Sequence, residues 1–270
     1  MIITSFSNQK VKFIRKLEQK KYRQDTQQYF IEGLRIVGEA VQTGAPIETL
    51  VIAADLLVSD FGQSLLEHPG MQDISCLSVS SEIFEKFAHK SGPQGIGAVL
   101  RQVWHSLPAL QAQPTDVWIA LDAVADPGNL GTIMRTADAV GCKGIILLGS
   151  STDPFDPRAV KASMGAIFSL ALVQADWDDF LSWARTNHLR LVGTSDHAEQ
   201  DYLSINYTRP MALLMGSERH GLDKEMMTDC DLMVRIPMKG RSDSLNLAVA
   251  AGVLLYEIYN QFRVSDIIES

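Results

Sequence analysis

The sequence predicts an α/β protein in two parts, a small α/β domain followed by a larger domain built on a parallel sheet. Three observations lead there. Short Val, Ile and Leu-rich runs alternate with helical patterns along nearly the whole chain. The runs after residue 116 are almost continuously apolar, as strands covered on both faces are. A stretch from Trp104 to Asp116, carrying Pro108 and Pro114 among Gln, Ser and Ala, divides the alternation in two. The 270 residues, 46% of them hydrophobic, suffice for two cores without disulfides or metals.

In chain order, Val11, Ile14 and Leu17 recur three residues apart and predict an amphipathic helix from Asn8 to Lys21, with lysines on its outer side. Gly33 to Val41 repeats the helical pattern until Gly44 and Pro46 end it. Thr49 to Ala54 reads as a strand, Leu57 to Leu66 as a helix, Ile74 to Val79 as a strand, Ser80 to Ala88 as a capped helix and Ile96 to Arg101 as a strand. The first domain is therefore 1–103, residues 104–116 are the linker, and the second domain is 117–270. In the second, strands are expected at Val117 to Leu121, Gly144 to Leu148, Phe168 to Val173, Arg190 to Thr194, Met211 to Met215 and Leu232 to Ile236. Helices are expected at Leu130 to Val140, Asp156 to Met164, Trp177 to Thr186 and Ser244 to Phe262.

Composition narrows the function. Cys76, Cys142 and Cys230 are scattered and odd in number, without the paired spacing of a zinc or redox site, so no metal is expected. No basic leader opens the chain and no apolar run approaches the ~20 residues needed to cross a bilayer, which leads us to expect a cytoplasmic protein with no membrane partner. Against 32 acidic residues stand 24 Lys and Arg, a formal charge of -8, so bulk electrostatics do not advertise nucleic-acid binding. The distribution is more informative than the total. Residues 1–40 hold eight basic residues, Lys10, Lys12, Arg15, Lys16, Lys20, Lys21, Arg23 and Arg35, against four acidic ones. A solvated helix face accounts for that cluster as well as an RNA-facing one does.

Ligands of parallel sheets sit at the carboxyl ends of strands. Three glycine-rich or polar segments follow apolar strands there: Asp126-Pro-Gly-Asn-Leu-Gly-Thr-Ile-Met-Arg135, Met215-Gly-Ser-Glu-Arg-His-Gly221 and Ile236-Pro-Met-Lys-Gly-Arg-Ser-Asp-Ser-Leu-Asn246. None is a dinucleotide fingerprint or a phosphate loop. Arg135, on a helix near strand ends, can bind phosphate or place charge beside a hydroxyl losing its proton, and a salt-bridged surface arginine fits the pattern too. Glu218 and His220 could be an acid/base pair or a solvated turn. Gly216 suits a close backbone approach to a ligand. Ser244 and Asn246 stand where helix caps commonly occur.

Together the three segments resemble the signature motifs of the SpoU/TrmH family of RNA 2'-O-ribose methyltransferases, within the trefoil-knotted SPOUT class. Asp126 to Gly141 resembles its first motif, Leu213 to Gly221 its second and Ile236 to Glu257 its third. Asp156 to Gly165, with Lys161-Ala-Ser-Met-Gly165, resembles the segment between the first two. Tyr29-Phe-Ile-Glu-Gly-Leu-Arg35 and Gly92-Pro-Gln-Gly-Ile-Gly97 are similar to landmarks of the family's N-terminal substrate-binding domain.

The resemblance implies a knotted C-terminal methyltransferase domain, an N-terminal domain resembling the L30e/L7Ae fold, a homodimer sharing its active sites, and S-adenosyl-L-methionine as cofactor. It makes Arg135 the catalytic residue, with Asn129 holding the arginine and the RNA backbone, Glu218 ordering the second motif, and Ser244 and Asn246 completing the polar surface. It makes Met215, Gly216, Ile236, Met238 and Leu245 the cofactor contacts. RNA binding is expected at Lys10, Lys12, Arg15, Lys16, Lys20, Lys21, Arg35 and Lys161. His220 is left as a solvated or structural residue. Lys161 stands where arginine is frequent in the family, and Ala248 where serine is often found. The RNA expected is ribosomal, because the first domain is laid out like that of the larger rRNA-modifying members. A tRNA ribose methyltransferase and a noncatalytic RNA-binding or assembly protein are the alternatives, the latter opposed by the presence of all five catalytic positions.

Overall fold

The computed structural model describes residues 2–72, 74–87, 92–241 and 243–269, with side chains up to residue 263. The chain packs as two compact units, one formed by 1–103 with 153–169 and the other by 104–152 with 170–270.

In the first unit, helices α1 (Gln9–Lys16) and α2 (Lys20–Thr26) precede strand β1 (Gln28–Glu32), helix α3 (Leu34–Gln42), β2 (Ile47–Ile52), α4 (Asp60–Leu66), β3 (Ser75–Ser78), α5 (Ser81–Glu85) and β4 (Ile96–Arg101). The strands form one sheet in the order β1-β4-β2-β3, with β4 antiparallel to both neighbours and β2 parallel to β3. Val11, Ile14 and Leu17 pack with Val51, Leu77, Phe84 and Val99 into its core. The single helix expected from Asn8 to Lys21 is broken. The Arg23 guanidinium takes the Leu17 and Glu18 carbonyls, at 2.9 and 2.7 Å, and so diverts them from helical bonding. Ala88, the expected end of the helix after Ser80, lies outside the described residues.

The second unit carries β5 (Val117–Asp122), α6 (Pro127–Ala139) and β6 (Gly144–Leu148). After α7 (Pro157–Ser163), which packs in the first unit, follow β7 (Ala171–Ala175), α8 (Trp177–Thr186), β8 (Arg190–Thr194), β9 (Gln200–Asp201), β10 (Met211–Met215), α9 (Lys224–Asp229), β11 (Leu232–Arg235) and α10 (Leu247–Glu269). The sheet order is β7-β6-β5-β10-β8-β11-β9, and every recorded pairing is parallel. Trp118, Ile146, Val173, Leu191 and Leu214 are buried in its core, as continuous apolar strands require.

Two groups of contacts bear on where the units divide. Residues 104–116 pack with the second unit: Leu107 is buried in its core, the Trp183 indole donates to the Leu110 carbonyl at 2.9 Å, and His105 bridges Val173. The segment 153–169, expected in the second domain, groups with the first because Asp153 is paired there with Arg23 at 2.7 Å, the two side chains only 8% and 1% exposed.

Candidate active site

Strands β5 and β10 lie side by side and parallel, with Leu121 opposite Met215, so the loops that leave their carboxyl ends are neighbours. The first of these loops runs into α6, which starts at Pro127. Asp126 caps this helix, its carboxylate accepting from the Asn129 N–H at 2.9 Å, and Pro127 occupies the first turn, where no donor is needed. Asn129 is thereby fixed on the first turn, above the sheet end.

The second loop is a tight turn in which Ser217 and Gly221 exchange backbone hydrogen bonds at 3.1 and 3.0 Å. It presents Glu218 to the first loop. Oε1 of Glu218 accepts from Asn129 Nδ2 and Oε2 from the Ala125 N–H, both at 3.2 Å. Partial burial pushes this carboxyl up, but hydrogen bonds from its own N–H, Asn129, Ala125 and Asp126 together outweigh it and hold the group below its ordinary value. Asn246, at the head of α10, donates from Nδ2 to Asn129 Oδ1 at 3.0 Å, while its Oδ1 caps the helix by accepting from Ala248 and Val249. One residue from each segment thus enters a single chain of hydrogen bonds. Nearby, burial and the Asp223 carboxylate push the Asp122 carboxyl up.

Of the expected cofactor contacts, Met215 ends β10 and Gly216 follows it, Ile236 and Met238 follow β11, and Leu245 precedes α10. Met215 and Gly216 are buried, Ile236 is half-buried, and Met238 and Leu245 remain 39% and 37% exposed. Gly216 is required for a reason the sequence did not show. A Cβ there would overlap the backbone of Gly221 and Leu222, so its missing side chain serves the loop's own fold.

Arg135 and Ser244 are not brought into the network. Arg135 is exposed on α6, six residues beyond Asn129, which is roughly 9 Å along the axis and about 120° around it. Among the described residues it takes part in no ion pair. Ser244 is exposed, its hydroxyl 3.4 Å from Asp243. His220 is also exposed and engages Ser217 only through its backbone. Sequence reasoning missed the loop after β8, which opens with Thr194 and Ser195. Because β8 runs between β10 and β11, with the Thr194 hydroxyl on the Leu214 carbonyl and the Ser195 N–H on the Val234 carbonyl, this loop belongs to the same end of the sheet. Only the strand order reveals it.

In the first unit, Lys10, Lys12, Arg15 and Lys16 project from α1 opposite buried Val11 and Ile14, and Lys20 and Lys21 are exposed at the start of α2. Lys16 lies 4.9 Å from the Tyr22 ring centre. Arg35 on α3 and Lys161 on α7 are exposed and line one cavity. Arg23, counted in the same basic cluster, is buried and structural. Among the described residues, no cluster of three or more His, Cys, Asp or Glu is arranged to hold a metal, and no helix is long and apolar enough to cross a membrane.

Comparison with known proteins gives this geometry a context. The family model described as SpoU rRNA Methylase matches residues 116–256, and that of the MRM3-like substrate binding domain matches 8–98. A solved structure of an AdoMet-bound rRNA methyltransferase from Sinorhizobium meliloti is 37% identical, with a TM-score of 0.88 over 96% of this chain and 97% of that one. The SpoU methyltransferase AviRb from Streptomyces viridochromogenes, solved with AdoMet, is 29% identical, with a TM-score of 0.87 over 96% of this chain and 99% of that one. The 23S rRNA (guanosine(2553)-2'-O)-methyltransferase RlmP of Bacillus subtilis is 30% identical over 95% of this chain and 98% of its own length. The three segments that Glu218, Asn129 and Asn246 join all fall within the longer family match, and the chain belongs to the SpoU rRNA methylase family.

Proposed function

We propose that this chain transfers a methyl group from S-adenosylmethionine to a ribose 2'-hydroxyl of ribosomal RNA. The observation that carries the reading is the hydrogen-bond chain from Glu218 through Asn129 to Asn246, which locks the three motif segments together at the carboxyl ends of adjacent parallel strands. Similar solved chains of the family hold AdoMet, and similar curated relatives are 23S rRNA 2'-O-methyltransferases.

The residues present fit this cofactor. Ile236 and Met238 after β11 and Leu245 before α10 offer apolar side chains, the last two of them exposed, and the Gly216 turn after β10 offers backbone groups at the same end of the sheet. When bound, S-adenosylmethionine supplies an electrophilic methyl carbon on a sulfur that keeps the electron pair of the bond that breaks. Asn129, fixed by Glu218 and Asn246, orients the RNA. Arg135 places a permanent cation beside the ribose 2'-oxygen and stabilises the charge that develops as its proton passes to solvent. Ser244 adds a hydroxyl at the rim. Holding oxygen and methyl carbon in line supplies much of the rate.

A homodimer completes the site in this reading. Val249, Tyr256 and Tyr259 leave an apolar stripe on α10 that is 53%, 48% and 37% exposed, which a second copy would cover. The separation of Arg135 from Asn129 on α6 supports a site to which each copy contributes. The match of residues 116–256 to the SpoU family supports a knotted chain. The mixed four-stranded sheet of the first unit supports the L30e/L7Ae likeness, and the three free cysteines support a cytoplasmic setting.

Mapping of 2'-O-methylation in total RNA from cells with and without this protein tests the proposal. One ribosomal position that loses its methyl group is the expected result. A lost tRNA position would move the substrate, and an unchanged map together with inactive purified protein would leave a noncatalytic RNA-binding role.

A further inference from the structure

We propose that the first unit carries a nucleotide pocket between β1, the head of α3 and α7, which takes one unstacked base of the substrate RNA with its phosphate at the mouth. The inference rests on the RNA methylation reading above. The cavity measures about 460 Å³. Its apolar wall is made by Phe30, Ile36, Val160 and Met164, an aromatic ring and three aliphatic side chains of the kind on which a base face rests.

The polar groups around that wall are arranged for a nucleotide. Arg35 and Lys161 are both exposed at the cavity and, among the described residues, neither has an ion-pair or hydrogen-bond partner. Two uncommitted cations at one opening, in a protein of net charge -8, match a phosphate. Gln94 gives its Oε1 to the Leu34 N–H at 3.0 Å, which leaves its Nε2 to donate. Glu32 also lines the cavity. An amide donor beside an aromatic face suits the hydrogen-bonding edge of a base, whereas Glu32 disfavours a second phosphate.

The walls are fixed in advance. Gly97 makes room for Phe30, since a Cβ there would lie 2.6 Å from the ring. At its start α7 is held by the buried ion pair of Arg23 and Asp153. At its end Met164 and Gly165 turn with φ of 53° and 104°, and Glu39 of α3 packs against Gly165. The pocket is composite: β1, α3 and Gln94 come from the stretch matched to the substrate-binding domain, and α7 from the stretch matched to the methylase. Two landmark segments of the sequence, Tyr29 to Arg35 and Gly92 to Gly97, meet the Lys161 segment here.

The test uses the full-length protein and ribosomal RNA transcribed with 4-thiouridine, irradiated and digested, with cross-linked peptides identified by mass spectrometry. The expected cross-links fall on peptides containing Phe30 or Met164. Arg35→Gln, Lys161→Gln and the pocket-filling Val160→Trp should each raise KM for the RNA by about tenfold or more, while S-adenosylmethionine affinity by calorimetry stays at the parent value. The two exposed-site variants keep the test valid if Val160→Trp fails to fold. A parent that methylates ribosomal RNA, with cross-links only elsewhere and both exposed-site variants within about twofold in KM, overturns the pocket alone. Binding of free UMP or AMP without RNA cross-links at these peptides also overturns it, by making the site one for mononucleotides. A parent that methylates no ribosomal RNA overturns the pocket and the functional reading together.

Discussion

Asn246 donates its side-chain N–H to Asn129 Oδ1 at 3.0 Å and joins the head of α10 to the first turn of α6 across 117 residues of sequence. The direction of this bond is set elsewhere. Glu218 can only accept when ionised, so it claims Nδ2 of Asn129 and turns Oδ1 toward Asn246. Asn246 is left with its own Oδ1 for the N–H groups of Ala248 and Val249.

That division of labour separates capping from tying. Asn246→Ala should remove both and lower stability by about 1 kcal/mol through the lost cap. Asn246→Asp should keep the cap but set a carboxylate against Asn129 Oδ1. Denaturant unfolding should therefore find Asn246→Asp the more stable variant, while single-turnover methyl transfer falls roughly tenfold in both. Equal stability of the two variants would show that the cap carries no weight.

Glu218 gives a pH signature. Its carboxyl is held below its ordinary 4.5 in the folded chain, so its contribution to stability is complete above the unfolded value and is lost as pH falls through the folded one. The difference in thermal midpoint between the parent and Glu218→Gln should be constant near neutrality and close below about pH 4. A gap that widens on acidification would reverse the sign of the coupling.

The same residues show what the sequence made legible. Gly144–Leu148 and Met211–Met215 could be read as strands because both faces of each are covered and the runs are wholly apolar. β1 is hard to read from sequence because Gln28–Glu32 is short, with polar residues at both ends and only alternate positions buried. α9 leaves no periodic stripe to read, because Lys224–Asp229 is short and its two apolar residues, the half-buried Met226 and Met227, are adjacent. The break between α1 and α2 and the transfer of 153–169 to the first unit share one cause, Arg23, whose partners Leu17, Glu18 and Asp153 no local pattern connects. At the site, motif resemblance named Glu218, Asn129 and Asn246 separately. Their mutual bonds depend on β10 lying beside β5, which is a matter of topology.

Gly216→Ala tests the role that the turn assigns to this glycine. Because an added Cβ would overlap the Gly221 and Leu222 backbone, the substitution should lower the thermal midpoint and weaken cofactor binding together. Calorimetry and thermal unfolding read both. Weakened binding at unchanged stability would mean that the glycine faces the ligand directly.

Arg23 and the exposed lysines should part company. Arg23→Met leaves Asp153 buried without its partner and should cost about 3 to 5 kcal/mol. Gln at Lys10, Lys12, Arg15, Lys16, Lys20 and Lys21 should leave unfolding nearly unchanged while weakening RNA binding and flattening its salt dependence. RNA titrations at several salt concentrations, beside denaturant curves, distinguish the two classes. Unchanged RNA affinity in the lysine set would make α1 a merely solvated face.

The claim that this chain methylates RNA through a cation beside the ribose oxygen is tested most directly at Arg135, which is exposed, unpaired among the described residues and outside the Glu218, Asn129 and Asn246 chain. Arg135→Ala should therefore fold, associate and bind S-adenosylmethionine as the parent does. With saturating ribosomal RNA in a single turnover, its rate should fall roughly 100-fold or more, and Arg135→Lys should recover only part of the loss. A rate for Arg135→Ala within about threefold of the parent would contradict the account and leave Arg135 an ordinary surface residue.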